Sequence, residues 1–307
     1  MTLCIAAVCD DSINTDPKII LCADMERVAE GIGASETEDK LGFVKKGWPT
    51  LVAGTISRAN ELINVYAGYL KDHDTEINEF NLIDHLRKPA HLQKEKLVEE
   101  YLRQTYAFDR EYFYGAGSTA LPQTFVSTVT ENISRIKLDG SLIIAGFMDE
   151  IDFDSGEVYP CPFLAVVDEV TDVSGTQEYV RLEYEFAAIG SGQYTALSSL
   201  YRREQHSGNS LRRSLYKVYE ANRLSENVPG VGKKYIDMYV LHSDGHVEEL
   251  TQDGYDYLGD LYKKFGPQRI DSKELVAKKE FFQPLDGVTK TVKRPPIPAP
   301  NADSGTT

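Results

Sequence analysis

An apolar strand opens this chain almost at its first residue, and a second follows shortly after. Leu3-Cys4-Ile5-Ala6-Ala7-Val8 is uncharged, and Lys18-Ile19-Ile20-Leu21-Cys22-Ala23 is apolar after its first residue. Runs of about six residues, rich in apolar and β-branched side chains and broken by Asp, Asn, Gly and Pro, read as core strands. Directly before the first strand stands Thr2. Its side chain is small enough for the usual removal of Met1, so the mature chain is expected to begin with a free threonine amine. Such a residue holds a hydroxyl nucleophile and a base on the same few atoms, and this pairing activates an otherwise weak nucleophile.

Three further residues stand at fixed intervals. The second strand ends at Asp24. Lys40 follows within Glu38-Asp39-Lys40-Leu41-Gly42-Phe43-Val44, and Gly54 closes Trp48-Pro49-Thr50-Leu51-Val52-Ala53-Gly54. This order resembles the proteasome β-subunit family of N-terminal nucleophile hydrolases. There a nucleophilic Thr opens the first strand, an Asp closes the second in an A-D step, a Lys follows in a K-[IL] step, and a Gly ends the next strand in an A-G step. The Asp24–Lys40 and Lys40–Gly54 intervals match without a gap. The Thr2–Asp24 interval is longer, and the surplus falls in the polar, turn-forming run Asp10–Pro17. Ser141–Phe147 and Pro162–Asp168 resemble the family's later pair of core strands. Phe186–Ala196 resembles its strand, G-S-G turn and helix start, and Lys234–Leu241 the strand after that.

The resemblance implies roles. Thr2 Oγ attacks an amide carbonyl, and a water or the Thr2 amine carries the proton. Lys40 lowers the hydroxyl's effective pKa or accepts its proton, and Asp24 is its counter-charge. The Gly54 N–H stabilises the oxyanion, and Ser191 hydrogen-bonds near the Thr2 amine. No cofactor or metal is implied. The expected fold is α+β: a four-layer αββα sandwich of two antiparallel sheets flanked by helices. Assembly into a ring or stacked homo-oligomer is implied as well. Two features depart from the family. No D-x-x-S-G step occurs in Ser225–Lys234, where Glu226 is the nearest substitute, and only Met1 precedes the Thr, where family members usually carry a propeptide. The bacterial-type proteasome homologues are therefore the better match. Two other readings stay open: a catalytically inactive proteasome-like scaffold, and an amidohydrolase acting on a small amide.

Composition sets outer limits. The chain has 307 residues, 41% of them hydrophobic and 26% charged, as in ordinary globular proteins. A net charge of −15 argues against nucleic-acid binding, which needs a basic face, and against anionic membranes. Cys4, Cys9, Cys22 and Cys161 lack zinc spacing and read as buried free thiols. No secretory signal is expected. No apolar run approaches the roughly 18 residues of a membrane span. A reducing cytosol fits both expectations.

Along the chain, residues 1–265 read as one hydrolase-like domain with an insertion at about 72–123. Residues 266–307 read as a C-terminal extension, disordered from about 288, where Lys and Pro dominate and no apolar stripe exists. Helices are expected over 57–71, 94–106, 124–137, 193–204, 209–224 and 252–265. Residues 72–93, with His73, His85 and His91 at irregular spacing, read as a solvated insertion. The aromatic, Gly-rich stretch 107–123 reads as a packed loop or interface.

Overall fold

The computed structural model describes residues 3–10, 16–25, 40–75, 77–138, 140–151, 156–171, 177–229, 231 and 235–266. Contacts divide the chain at Gly266/Pro267. The first unit holds every described element; the second, where the sequence reading expected a C-terminal extension and disorder from about 288, lies outside the described residues.

In chain order the elements begin with β1 Leu3–Asp10, β2 Pro17–Met25, β3 Leu41–Lys45 and β4 Trp48–Gly54. Five helices follow: α1 Ile56–Asp72, α2 Leu82–Tyr106, α3 Arg110–Tyr114, α4 Ala116–Ala120 and α5 Gln123–Ser134. Four strands come next: β5 Gly140–Ile151, β6 Val158–Thr171, β7 Gln177–Glu183 and β8 Phe186–Gly190. The described chain ends with α6 Gln193–Arg202, α7 Leu211–Ser225, β9 Tyr235–His242, β10 Val247–Glu249 and α8 Gln252–Phe265. The strands form two five-stranded antiparallel sheets, ordered β10-β9-β2-β1-β8 and β3-β4-β5-β6-β7.

The continuous apolar runs follow from burial on both faces, since successive side chains of a strand point to opposite sides of its sheet. In β1, Cys4, Ala6 and Val8 meet Leu51, Ala53, Ile143, Leu164 and Val166 of the other sheet in one cluster. Leu3, Ile5, Ala7 and Cys9 point the other way, against Leu200, Val218 and Tyr219 of α6 and α7 and Leu258 of α8. The second sheet repeats the arrangement. Leu142, Ile144, Ala165 and Val167 pack against Leu62, Tyr66 and Leu70 of α1 and Leu86 of α2. The chain is thus a mixed α+β structure of two antiparallel sheets with helices packed on them. Among the described residues no helix is long and apolar enough to cross a membrane.

The insertion is where expectation and structure part. Residues 72–93 are not simply a solvated segment: α2 starts at Leu82 and runs through Pro89. Leu82, Leu86 and Ala90 are buried, and Tyr66 Oη donates to the Leu86 carbonyl at 2.6 Å. One apolar residue per turn, with polar residues between and a proline inside, makes a stripe too thin to stand out in the sequence. The histidines have structural partners. His73 stacks on Tyr69 at 4.2 Å, His85 Nδ1 lies 3.3 Å from Tyr69 Oη, and His91 packs edge-on against Tyr179. Residues 107–123 are packed, as read, but as the short helices α3 and α4. Phe113 is buried with Val98 and Leu102 of α2 and Val129 and Ile133 of α5.

Candidate active site

Asp24 sits near the end of β2, between β1 and β9, paired in register with Ile236. Its side chain is fully buried. A buried carboxylate is costly unless it is paired and hydrogen-bonded, and Asp24 has both kinds of partner. The Leu3 N–H donates to Oδ1 at 2.8 Å, and Lys40 Nζ reaches the same oxygen at 2.6 Å. Lys40 Nζ also donates to the Asp24 backbone carbonyl. The Lys40 side chain is 16% exposed. Lys40 lies at the entry to β3, where its own carbonyl accepts the Val52 N–H at 3.2 Å. The ammonium is therefore anchored to the second sheet and reaches across to the first.

Cys4 lies beside this pair. Its thiol donates to the Val52 carbonyl at 3.2 Å. Burial pushes the thiol up to about 12, and the Lys40 ammonium only partly counters it. A thiol so protonated is no nucleophile, because the thiolate is the reactive form. Cys4 acts as a small apolar residue in the intersheet core.

Two glycines shape the space at this end of the sheets. Gly54 closes β4 with φ +109° and Gly190 closes β8 with φ +96°, values that L side chains rarely adopt. Leu3 pairs with Gly190, so β1 begins alongside it. Gly54 and Gly190 line a cavity of about 240 Å³ together with Ser141, Asp168 and Glu169. Ser191 follows Gly190 in the turn before α6. The next residue, Gly192, is crowded: a Cβ there would meet Val231 at 2.9 Å, Ser225 at 3.1 Å and Leu3 at 3.3 Å.

Of the residues singled out in the sequence, Asp24 and Lys40 are in direct contact. Gly54 lines a cavity with Gly190, the β-partner of Leu3, and Ser191 is adjacent to Gly190. Thr2 lies outside the described residues. Glu226, the nearest substitute for the missing D-x-x-S-G step, pairs with Arg223 at the end of α7.

Two groups escaped the sequence reading. Ser225 is fully buried; its hydroxyl donates to the Ala221 carbonyl at 2.8 Å and approaches the Gly192 carbonyl at 3.4 Å, behind the G-S-G turn. The Glu226–Lys234 stretch after it has no periodicity, so nothing in the sequence fixed where Ser225 falls. The second group lines the cavity. Ser141 Oγ donates to Asp168 Oδ1 at 3.1 Å, and Glu169 is held by Lys94 at 2.7 Å and by the Leu138 N–H at 3.1 Å. Apart from the neighbours Asp168 and Glu169 on β6, these residues come from separate elements, and no local spacing connects them.

No family model and no curated protein matches this chain. The site must therefore be argued from its own residues. Among the described residues no group of three or more His, Cys, Asp or Glu side chains is placed to hold a metal ion. What the arrangement can supply is a cation and a buried carboxylate in contact, the carboxylate accepting the N–H of Leu3, the residue that follows Thr2 in the chain.

Proposed function

We propose that this chain is a threonine-type peptide or amide hydrolase whose nucleophile is Thr2 after removal of Met1, built on the four-layer αββα sandwich of the N-terminal nucleophile hydrolases. One observation carries the reading. The fully buried Asp24 carboxylate, paired with Lys40, accepts a hydrogen bond from the amide of Leu3, the nitrogen covalently joined to Thr2.

The reaction then runs as follows. Thr2 Oγ attacks the carbonyl carbon of the scissile amide, and its proton passes to the Thr2 amine directly or through water. The Lys40 charge, in a site with little solvent, favours the developing alkoxide. Asp24 holds Lys40 in place. The N–H of Gly54 supports the oxyanion, since a residue without Cβ lets substrate approach the backbone. Collapse of the tetrahedral intermediate expels the amine and leaves an ester on Thr2. Water then hydrolyses that ester. Assembly as a homo-oligomer belongs to the same proposal.

A β-lactone tests it, because ring opening leaves an acyl group on the attacking oxygen. Intact mass of the purified chain is expected to lack Met1 and to gain one acyl group, located by peptide mapping at Thr2. Retained Met1, or acylation elsewhere, overturns the assignment. A panel of fluorogenic peptides and small amides then separates peptidase from amidohydrolase.

Lys40 gives a sharper measurement. Lys40→Ala is expected to lower kcat by on the order of 10²-fold or more, with a smaller change in KM. Lys40→Arg is expected not to restore it, because the longer planar fork of a guanidinium does not fit the place of an ammonium held on the Asp24 carboxylate and carbonyl. Full rescue by Arg would show that charge alone is needed.

A further inference from the structure

A larger cavity, of about 850 Å³, lies on the outer face of the first sheet between α7, α8 and the turn joining α6 to α7. It shares no lining residue with the cavity at Gly54. Its volume is ordinary for a small-molecule site, about 300–1,000 Å³. One wall is apolar, from Leu250, Leu258 and Leu261; the other carries Arg212, Arg213 and Lys217. In a chain of net charge −15 this concentration of cations is against the trend.

Two of these cations, Arg212 and Arg213, are exposed and left without anions among the described residues. They stand in the first turn of α7, which has no acidic residue and whose N-cap, Ser210, makes no side-chain cap. Cations are disfavoured there by the helix dipole, and an anion is favoured. Desolvation, followed by repulsion from Arg213, pushes the Lys217 ammonium down from its ordinary value. Arg203 also lines the cavity, but its guanidinium is spent on the buried Glu220 at 2.5 and 2.6 Å. Most telling is Tyr216, which lines the cavity and whose buried hydroxyl oxygen has no hydrogen-bond partner among the described residues. Burial and Glu220 raise its pKa, so it stays protonated as an unused donor.

The wall is preorganised. Glu204 adopts a left-handed φ of +52°, a conformation costly for a residue other than Gly. Its carbonyl accepts from Lys217 Nζ at 2.9 Å and from Asn209 Nδ2 at 3.1 Å. The turn is tied to β1 by Gln205 Nε2 on the Val8 carbonyl at 2.9 Å, and by the Asp10 N–H on the Asn209 carbonyl at 3.0 Å.

We propose that this cavity binds an amphipathic anion, its apolar body against Leu250, Leu258 and Leu261 and its carboxylate or phosphate head on Arg212, Arg213 and Tyr216 Oη. Anionic heads take charge-assisted hydrogen bonds from arginine, and the tyrosine hydroxyl supplies one more donor. The site is independent of the hydrolase reading.

Calorimetry on the full chain with dodecanoate and dodecyl phosphate, below their micelle concentrations, tests this. One equivalent of either or both is expected to bind, and the tighter of the two identifies the head. Dodecyltrimethylammonium, with the same chain and opposite charge, is expected not to bind. Arg212→Gln/Arg213→Gln should raise Kd at least tenfold and Tyr216→Phe severalfold. Both arginines are exposed, so the double variant should keep the wild-type Tm. Equal binding of the cationic amphiphile, or an unchanged Kd in the double variant, overturns the proposal.

Discussion

Thr2→Ala is expected to abolish amide hydrolysis while the protein still folds. The substitution removes the one oxygen to which the proposed acyl group is attached. Loss of a nucleophile from such a centre costs on the order of 10⁴–10⁶ in kcat, leaving only what oxyanion support and binding provide. Folding should change little, since a single hydroxyl is worth about 1 kcal/mol. Thr2→Ser keeps both a hydroxyl and an amine, so it should retain a measurable rate. Release from a fluorogenic peptide and the unfolding midpoint, read on the same samples, check both halves. Full activity in Thr2→Ala would end the assignment. Full activity together with β-lactone labelling of another residue would name its replacement.

The strands that build the core were legible because both of their faces are buried. Leu3–Val8 and Leu142–Phe147 are apolar at consecutive positions, which solvent-facing strands are not. The expected helices over 193–204 and 209–224 correspond to α6 and α7, whose apolar residues repeat at helical spacing. The start of α2 was hidden by polar residues and Pro89. The strands β7 and β10 were not expected. β10 has three residues, and β7, Gln177–Glu183, is the edge strand and mixes polar and apolar residues without strict alternation, so that pairing with β6 outweighs its sequence signal. In the site, the interval from Asp24 to Lys40 carried the contact between them. Ser141, Asp168 and Ser225 owe their positions to tertiary packing. No residue beside any of them in the chain foretells it.

The Asp24–Lys40 contact also predicts a large effect on stability. Asp24→Ala removes the buried carboxylate that receives both Lys40 Nζ and the Leu3 N–H. Lys40 is then left beside an apolar side chain with little access to water. Removing one partner of a buried pair costs about 3–5 kcal/mol, because the desolvation of the other is no longer offset. In a folded unit of this size each 1 kcal/mol lowers Tm by about 2–4 °C, so a fall of roughly 6–20 °C is expected. Asp24→Asn keeps an acceptor for the Leu3 N–H and should lose less. The double variant Asp24→Ala/Lys40→Met should be more stable than the sum of its single variants predicts, by about 0.5–3 kcal/mol, since it removes both charges together. Urea titrations of the wild type, Asp24→Ala, Asp24→Asn, Lys40→Met and the double variant measure each term. A loss below about 1 kcal/mol in Asp24→Ala, with additive single variants, would mean that the pair does not hold the start of β1 in place. The reading of Lys40 as a positioned, partly desolvated ammonium beside Thr2 would then lose its structural basis.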